Sequence, residues 1–106
     1  MHHLTRKEEQ VLLAVYHLKE NAYLITIREM VKKYTGKTYS VGTIYAPLNR
    51  LHLNGFLGSD LVKPAGANGG KPIKYYRVTR KGVEALTALK RQNDVMWEGF
   101  VSPAVE

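Results

Sequence analysis

The side chains of this chain best suited to chemistry are hydrogen-bond donors gathered over residues 40–56, SVGTIYAPLNRLHLNGF. Ser40 is a good N-cap, because its hydroxyl can accept from a backbone N–H of the first turn, so a helix should begin at Val41. Asn54 and Gly55 make a natural stop, since glycine takes the left-handed conformation without a Cβ penalty. Between these ends Ile44, Leu48 and Leu51 recur at i, i+4 and i+7 and define an inward face. The opposite face carries Thr43, Ala46 and Arg50, with Gly42 and Asn54 at its margins. A face that is small, polar and basic suits a helix laid into the major groove of DNA: small residues permit close approach, and arginine can donate a bidentate pair to a guanine edge. An ordinary amphipathic helix with a solvated back would use the same residue types. Pro47 removes a backbone hydrogen bond, so the helix is expected to start late or bend there.

Other chemistries lack their residues. His2, His3, His17 and His52 have no metal-ligand spacing with carboxylates, there is no cysteine, and no Ser/His/Asp arrangement can be built from the spacing. No enzyme, cofactor or metal is expected. No apolar run is long enough to span a bilayer and the N-terminus lacks the apolar core of a signal peptide, so no membrane partner is expected. The missing cysteines also fit a reducing cytoplasm. The formal net charge is +7 over 106 residues, and it is segregated. Lys32, Lys33, Lys37, Arg50, Lys63, Lys71, Lys74, Arg77, Arg80 and Lys81 face only Asp60 in the middle of the chain, while the two ends together are slightly acidic. That is the electrostatic footprint of a polyanion partner.

The elements that must position these donors follow in order. Thr5 and Glu8 form a capping box, and Val11, Leu12, Val15 and Leu18 continue a helical stripe. Residues 23–25 are β-prone and could supply a brief strand. Thr26 and Glu29 repeat the capping box, with Ile25 and Met30 at staple positions. A second helix should turn Met30, Val31 and Tyr34 inward and end at Gly36. With the helix from Ser40 this makes a helix-turn-helix. Residues 56–62 and 73–78 read as strands around a glycine-rich tip over 64–70, a hairpin carrying Lys71 and Lys74. Thr79 caps a last helix, whose first turn holds Arg80 and Lys81 against the helix dipole, a placement that a phosphate contact would explain.

Taken together, Gly42, Thr43, Ile44, Tyr45, Leu48, Arg50, Leu51, Gly55 and Phe56, with Gly70, Lys71, Pro72, Lys74, Tyr75, Tyr76, Val78, Thr79 and Gly82, resemble the recognition-helix and wing signatures of the PadR family of bacterial transcriptional regulators. The resemblance implies a dimeric winged-helix repressor, often released from DNA by a small effector. The sequence departs from the family pattern where Ala46 separates Tyr45 from Pro47, and where Tyr23, Leu24 and Ile25 replace a His-Gly-Tyr-like segment. The short C-terminal part is similar to the subclass that includes multidrug sensors, whose stacking tryptophan aligns with Asn93, one turn before Trp97.

The expected fold is mainly α with a small β-hairpin: a winged helix-turn-helix over residues 1–80 and a C-terminal dimerisation helix and tail over 81–106. DNA contacts are expected from Lys37, Ser40, Gly42, Thr43, Tyr45, Ala46, Asn49 and Arg50, and from Lys71 and Lys74 on the wing. An aromatic stripe on the last helix marks an interface, so a homodimer is expected to bury Val11, Leu86, Leu89, Met96, Trp97 and Phe100. Two-fold pairing would present both recognition helices to a pseudo-palindromic operator. A small aromatic effector would enter beside Trp97. The alternative is a winged helix used for protein contact without sequence-specific DNA binding.

Overall fold

In the computed structural model, which describes residues 3–63 and 70–103, the chain forms four helices and a hairpin. Helix α1 (Arg6–Leu18) leads through a 3-10 turn (Lys19–Asn21) to α2 (Leu24–Thr35), then α3 (Val41–Leu53), strands β1 (Leu57–Val62) and β2 (Ile73–Val78), and α4 (Arg80–Trp97). The capping box of α1 is complete: Thr5 Oγ1 accepts from Glu8 N–H at 3.1 Å and Glu8 Oε1 accepts from Thr5 N–H at 2.7 Å. The glycine-rich tip expected over 64–70 falls outside the described residues except for Gly70, and His2 also lies outside them.

The core is the meeting of three helical stripes with the base of the hairpin. Val11, Leu12 and Val15 of α1, Ile27 and Val31 of α2, and Ile44, Leu48 and Leu51 of α3 are fully buried, joined by Phe56, Leu57 and Tyr76. Side chains of this size contribute about 1.5–3 kcal/mol each on burial, so this junction fixes how α3 is presented. Tyr34, expected inside, is exposed, and Ile27 takes the inward position instead.

That exchange follows from where α2 starts. Tyr23 is its N-cap and Leu24 and Ile25 are already helical, so the short strand reduces to a single bridge between Tyr23 and Tyr75. Thr26 is therefore the third helical residue: its hydroxyl accepts from Tyr23 N–H at 3.0 Å. The Thr26–Glu29 box and its staple do not form, because a threonine can serve a helix start from within the first turn as well as from the cap. Pro47 is buried inside an uninterrupted α3. The helix starts at Val41 as the Ser40 cap requires, and the carbonyl that Pro47 leaves without its usual partner belongs to exposed Thr43, where water can serve.

The strands pair antiparallel from Leu57 opposite Val78 to Val62 opposite Ile73. The hairpin root is seated by Gly82. A Cβ there would lie 2.3 Å from the Phe56 carbonyl oxygen and 2.6 Å from Val78 Cγ1, so only glycine lets α4 sit this close. Thr79 completes the joint, accepting from Gly82 N–H at 3.2 Å and donating to the Gly55 carbonyl at 2.6 Å.

Candidate nucleic-acid interface

Helix α3 presents Val41, Gly42, Thr43, Tyr45 and Ala46 as one exposed strip, with Asn49 half-buried at its edge. A Cβ added to Gly42 would meet nothing within 4 Å, so neither packing nor backbone requires glycine there. Ser40 caps the helix through Thr43 N–H at 3.2 Å and lies 2.8 Å from the Thr43 hydroxyl. Lys37 is exposed three residues before this cap.

The hairpin is tied to the other end of α3. Residues directly opposite in an antiparallel pair share a face, so Leu57, Ser59 and Leu61 stand with Val78, Tyr76 and Lys74. This face meets α3: Ser59 Oγ and His52 Nε2 are 3.1 Å apart, and the His52 and Tyr76 rings meet edge-on at 6.2 Å. Burial, and after it the neighbouring Tyr45 phenol, push Tyr76 above the usual tyrosine range. Lys74 thus lies on the α3 side of the hairpin, further toward its tip, and Lys71 precedes the strand; both are exposed.

Two basic residues are placed differently from expectation. Arg50 is turned toward α1, with its Nε 3.1 Å from Glu8 Oε2. Its side chain is 50% exposed and that of Glu8 only 3%, so the guanidinium is committed to a buried carboxylate rather than centred on the free strip. Burial alone would raise the Glu8 carboxyl, but hydrogen bonds from Thr5 and Arg50 outweigh it and hold it below the usual carboxylate range. The capping box signalled the local role of Glu8; its partner forty-two residues on has no sequence signature.

Lys81 is the second. Its ammonium donates to the Asn54 carbonyl at 2.7 Å and lies 4.6 Å over the Phe56 ring. The charge that is unfavourable at the start of α4 is favourable at the end of α3, where the helix dipole is negative. A phosphate is not needed to explain it.

Helix α4 leaves the core after its first turns. Leu86 packs half-buried against the core, Leu89 is half-buried, and Asn93 Nδ2 donates to Glu9 Oε2 at 3.2 Å. Beyond that link Val95, Met96 and Trp97 are all more than 60% exposed, and Phe100 lies past the helix end with its ring 5.3 Å from that of Trp97. Val11 does not belong with them: it is fully buried among α1's own core contacts, so no second chain can reach it. The part of α1 that faces outward beside α4 is Glu9, Leu13, Tyr16 and His17, along a groove of about 1050 Å³.

A helix-turn-helix joined to a hairpin on the far side of its second helix is a winged helix. The sequence matches the model of the transcriptional regulator PadR-like family over residues 12–88. The chain belongs to the PadR-like family. A PadR-like transcription factor from Bacteroides fragilis is 30% identical, with 88% of this chain and 87% of that one covered and a TM-score of 0.72. A PadR family regulator from Eggerthella lenta is also 30% identical, covering 89% and 80% at a TM-score of 0.67. A PadR-like regulator from Bacillus cereus is 28% identical over 84% and 81%, at 0.65. No curated protein matches the chain significantly. PadR-like proteins are transcriptional regulators, not enzymes. Among the described residues no helix is long and apolar enough to cross a membrane, and no group of three or more metal-ligating side chains occurs.

Proposed function

We propose that this PadR-like chain is a cytoplasmic, dimeric repressor that binds a pseudo-palindromic operator and blocks a promoter by covering it. The carrying observation is the exposed strip of α3, where Gly42 is open to solvent although the fold places no demand for glycine there. A missing side chain with no internal reason suits close approach to another surface, and the major groove is that surface for the second helix of a helix-turn-helix. Thr43, Tyr45, Ala46 and Asn49 meet base edges and phosphates, Ser40 and Lys37 approach the backbone at the helix start, and Lys71 and Lys74 place the wing on flanking phosphates. Arg50 acts indirectly, by holding α3 against α1.

The exposed Val95, Met96, Trp97 and Phe100 supply the two-fold contact, with Leu86 and Leu89 at its inner edge. Symmetric pairing sets two recognition helices about 34 Å apart, one turn of DNA. A small aromatic effector would be taken up beside Trp97, where the two stripes meet.

Binding of labelled duplex across a salt series tests this reading. Lys71→Gln and Lys74→Gln should each weaken binding to all sequences alike and flatten the salt slope by about 1 per half-site, about 2 for the dimer. Wild-type protein with no salt-dependent affinity for any duplex would make the winged helix a protein-contact module instead.

A further inference from the structure

The loop between α2 and α3 holds a cluster of which the DNA-binding reading above uses only Lys37. Arg28 of α2 donates through Nε to the Tyr39 carbonyl and so fixes the residue that immediately precedes the Ser40 cap. The Tyr39 ring packs at the margin of the core. Lys7, from the first turn of α1, brings its ammonium to 3.6 Å from the ring centroid, and Lys37 brings a second to 5.5 Å.

Two cations directed onto one ring need an account. Among the described residues neither Lys7 nor Lys37 has a carboxylate within ion-pair distance. The acids of α1 are engaged elsewhere, Glu8 with Thr5 and Arg50, Glu9 with Arg6 and Asn93. Of its three donors Lys7 gives one to Gln10 Oε1 at 2.7 Å, and no acceptor among the described residues takes those of Lys37. The ring holds both ammonium groups in place while leaving their charge uncompensated. The Lys7 ammonium, ahead of the Lys37 charge, also holds the Tyr39 phenol below the usual tyrosine range.

We propose that Lys7, Lys37 and Tyr39 form a clamp for backbone phosphate of DNA at the N-terminal end of α3, with Arg28 as its positioning residue. The clamp rests on the DNA-binding reading above and adds the first helix to the contact surface. A helix in the major groove is bordered by phosphates of both strands. The wing, anchored to α3 through Ser59 and His52, serves one border and this cluster, beside Ser40, serves the other. Lys32 and Lys33 need no such role, since the negative end of the α2 dipole accounts for them.

The test uses a labelled duplex recovered by the wild-type protein from a randomised pool, titrated by fluorescence anisotropy across a salt series. Lys7→Gln/Lys37→Gln should lower the slope of log Kd against log salt by about 2 per half-site, about 4 for the dimer, with base preference unchanged. Lys19→Gln/Lys90→Gln removes the same charge elsewhere and should leave the slope near wild type. Lys7→Arg/Lys37→Arg should restore the slope, which separates lost contacts from a damaged fold. A glutamine pair whose slope equals that of the Lys19/Lys90 control, or an arginine pair that fails to restore it while remaining folded by circular dichroism, overturns the clamp and leaves the DNA reading standing. Absence of any salt-dependent duplex binding by wild type overturns both.

Discussion

Replacing Arg50 with alanine should damage folding before it touches recognition, and the size of the effect follows from an asymmetry in burial. The Glu8 side chain is 3% exposed and that of Arg50 50%. Removing the arginine leaves a charged carboxylate in the protein interior, whereas removing the glutamate leaves a cation that water can reach. A hydrogen bond to a charged group contributes about 1.5–3 kcal/mol, and solvent screening on the arginine side places this pair toward the lower end. Arg50→Ala should therefore cost about 2 kcal/mol, and Glu8→Gln, which can still accept from Thr5 N–H, about 1 kcal/mol. The double variant should cost clearly less than the sum, with a coupling of about 1–2 kcal/mol. Urea unfolding at fixed protein concentration measures all three, the concentration being held because association shifts apparent stability. The pH dependence has a definite sign. The folded Glu8 pKa lies below its unfolded value, so its contribution is fully present above about pH 4.3 and is lost as pH falls through the folded value. In Arg50→Ala the lowering due to Arg50 is lost while burial and the Thr5 hydrogen bonds remain, so the folded value rises above that of wild type and the deficit relative to wild type should shrink on acidification. Additivity within about 0.5 kcal/mol, or a deficit that grows as pH falls, would refute the ion-pair account.

Gly82→Ala should destabilise by about 1–3 kcal/mol, because its Cβ would drive α4 off the Phe56 carbonyl; thermal unfolding checks this, and an unchanged midpoint would mean that the joint can open without cost. Gly42→Ala should leave stability unchanged or raised by up to about 1 kcal/mol while weakening duplex binding at least several-fold; equal affinity would remove close approach at Gly42 from the mechanism. Trp97→Ala should shift sedimentation at micromolar concentration from dimer toward monomer. A wild-type monomer would sink the two-fold arrangement, and a mutant dimer of wild-type affinity would take Trp97 out of its centre.

The elements themselves were legible from local signals. Thr5, Ser40, Gly36, Gly55 and Thr79 announce helix ends through the valence of one hydroxyl or the freedom of one backbone, and the spacing of Ile44, Leu48 and Leu51 assigns the buried face of α3 by helical geometry alone. The same locality explains the errors at α2, where Thr26 satisfies the helix start from either of two positions and only the packing of Ile27 chooses between them. Side-chain commitments were not legible. Arg50 and Lys81 carry the same charge in the sequence as Lys71 and Lys74, yet one is bound to Glu8 and the other to the end of α3. Val11 has the same apolar character whether it meets its own core or a second chain. Composition and periodicity determine which residues are basic and which faces are apolar, because those properties belong to the residue and its helix. Which charges stay free is decided by partners distant in the chain, since only folding brings a carboxylate or a carbonyl within hydrogen-bonding reach.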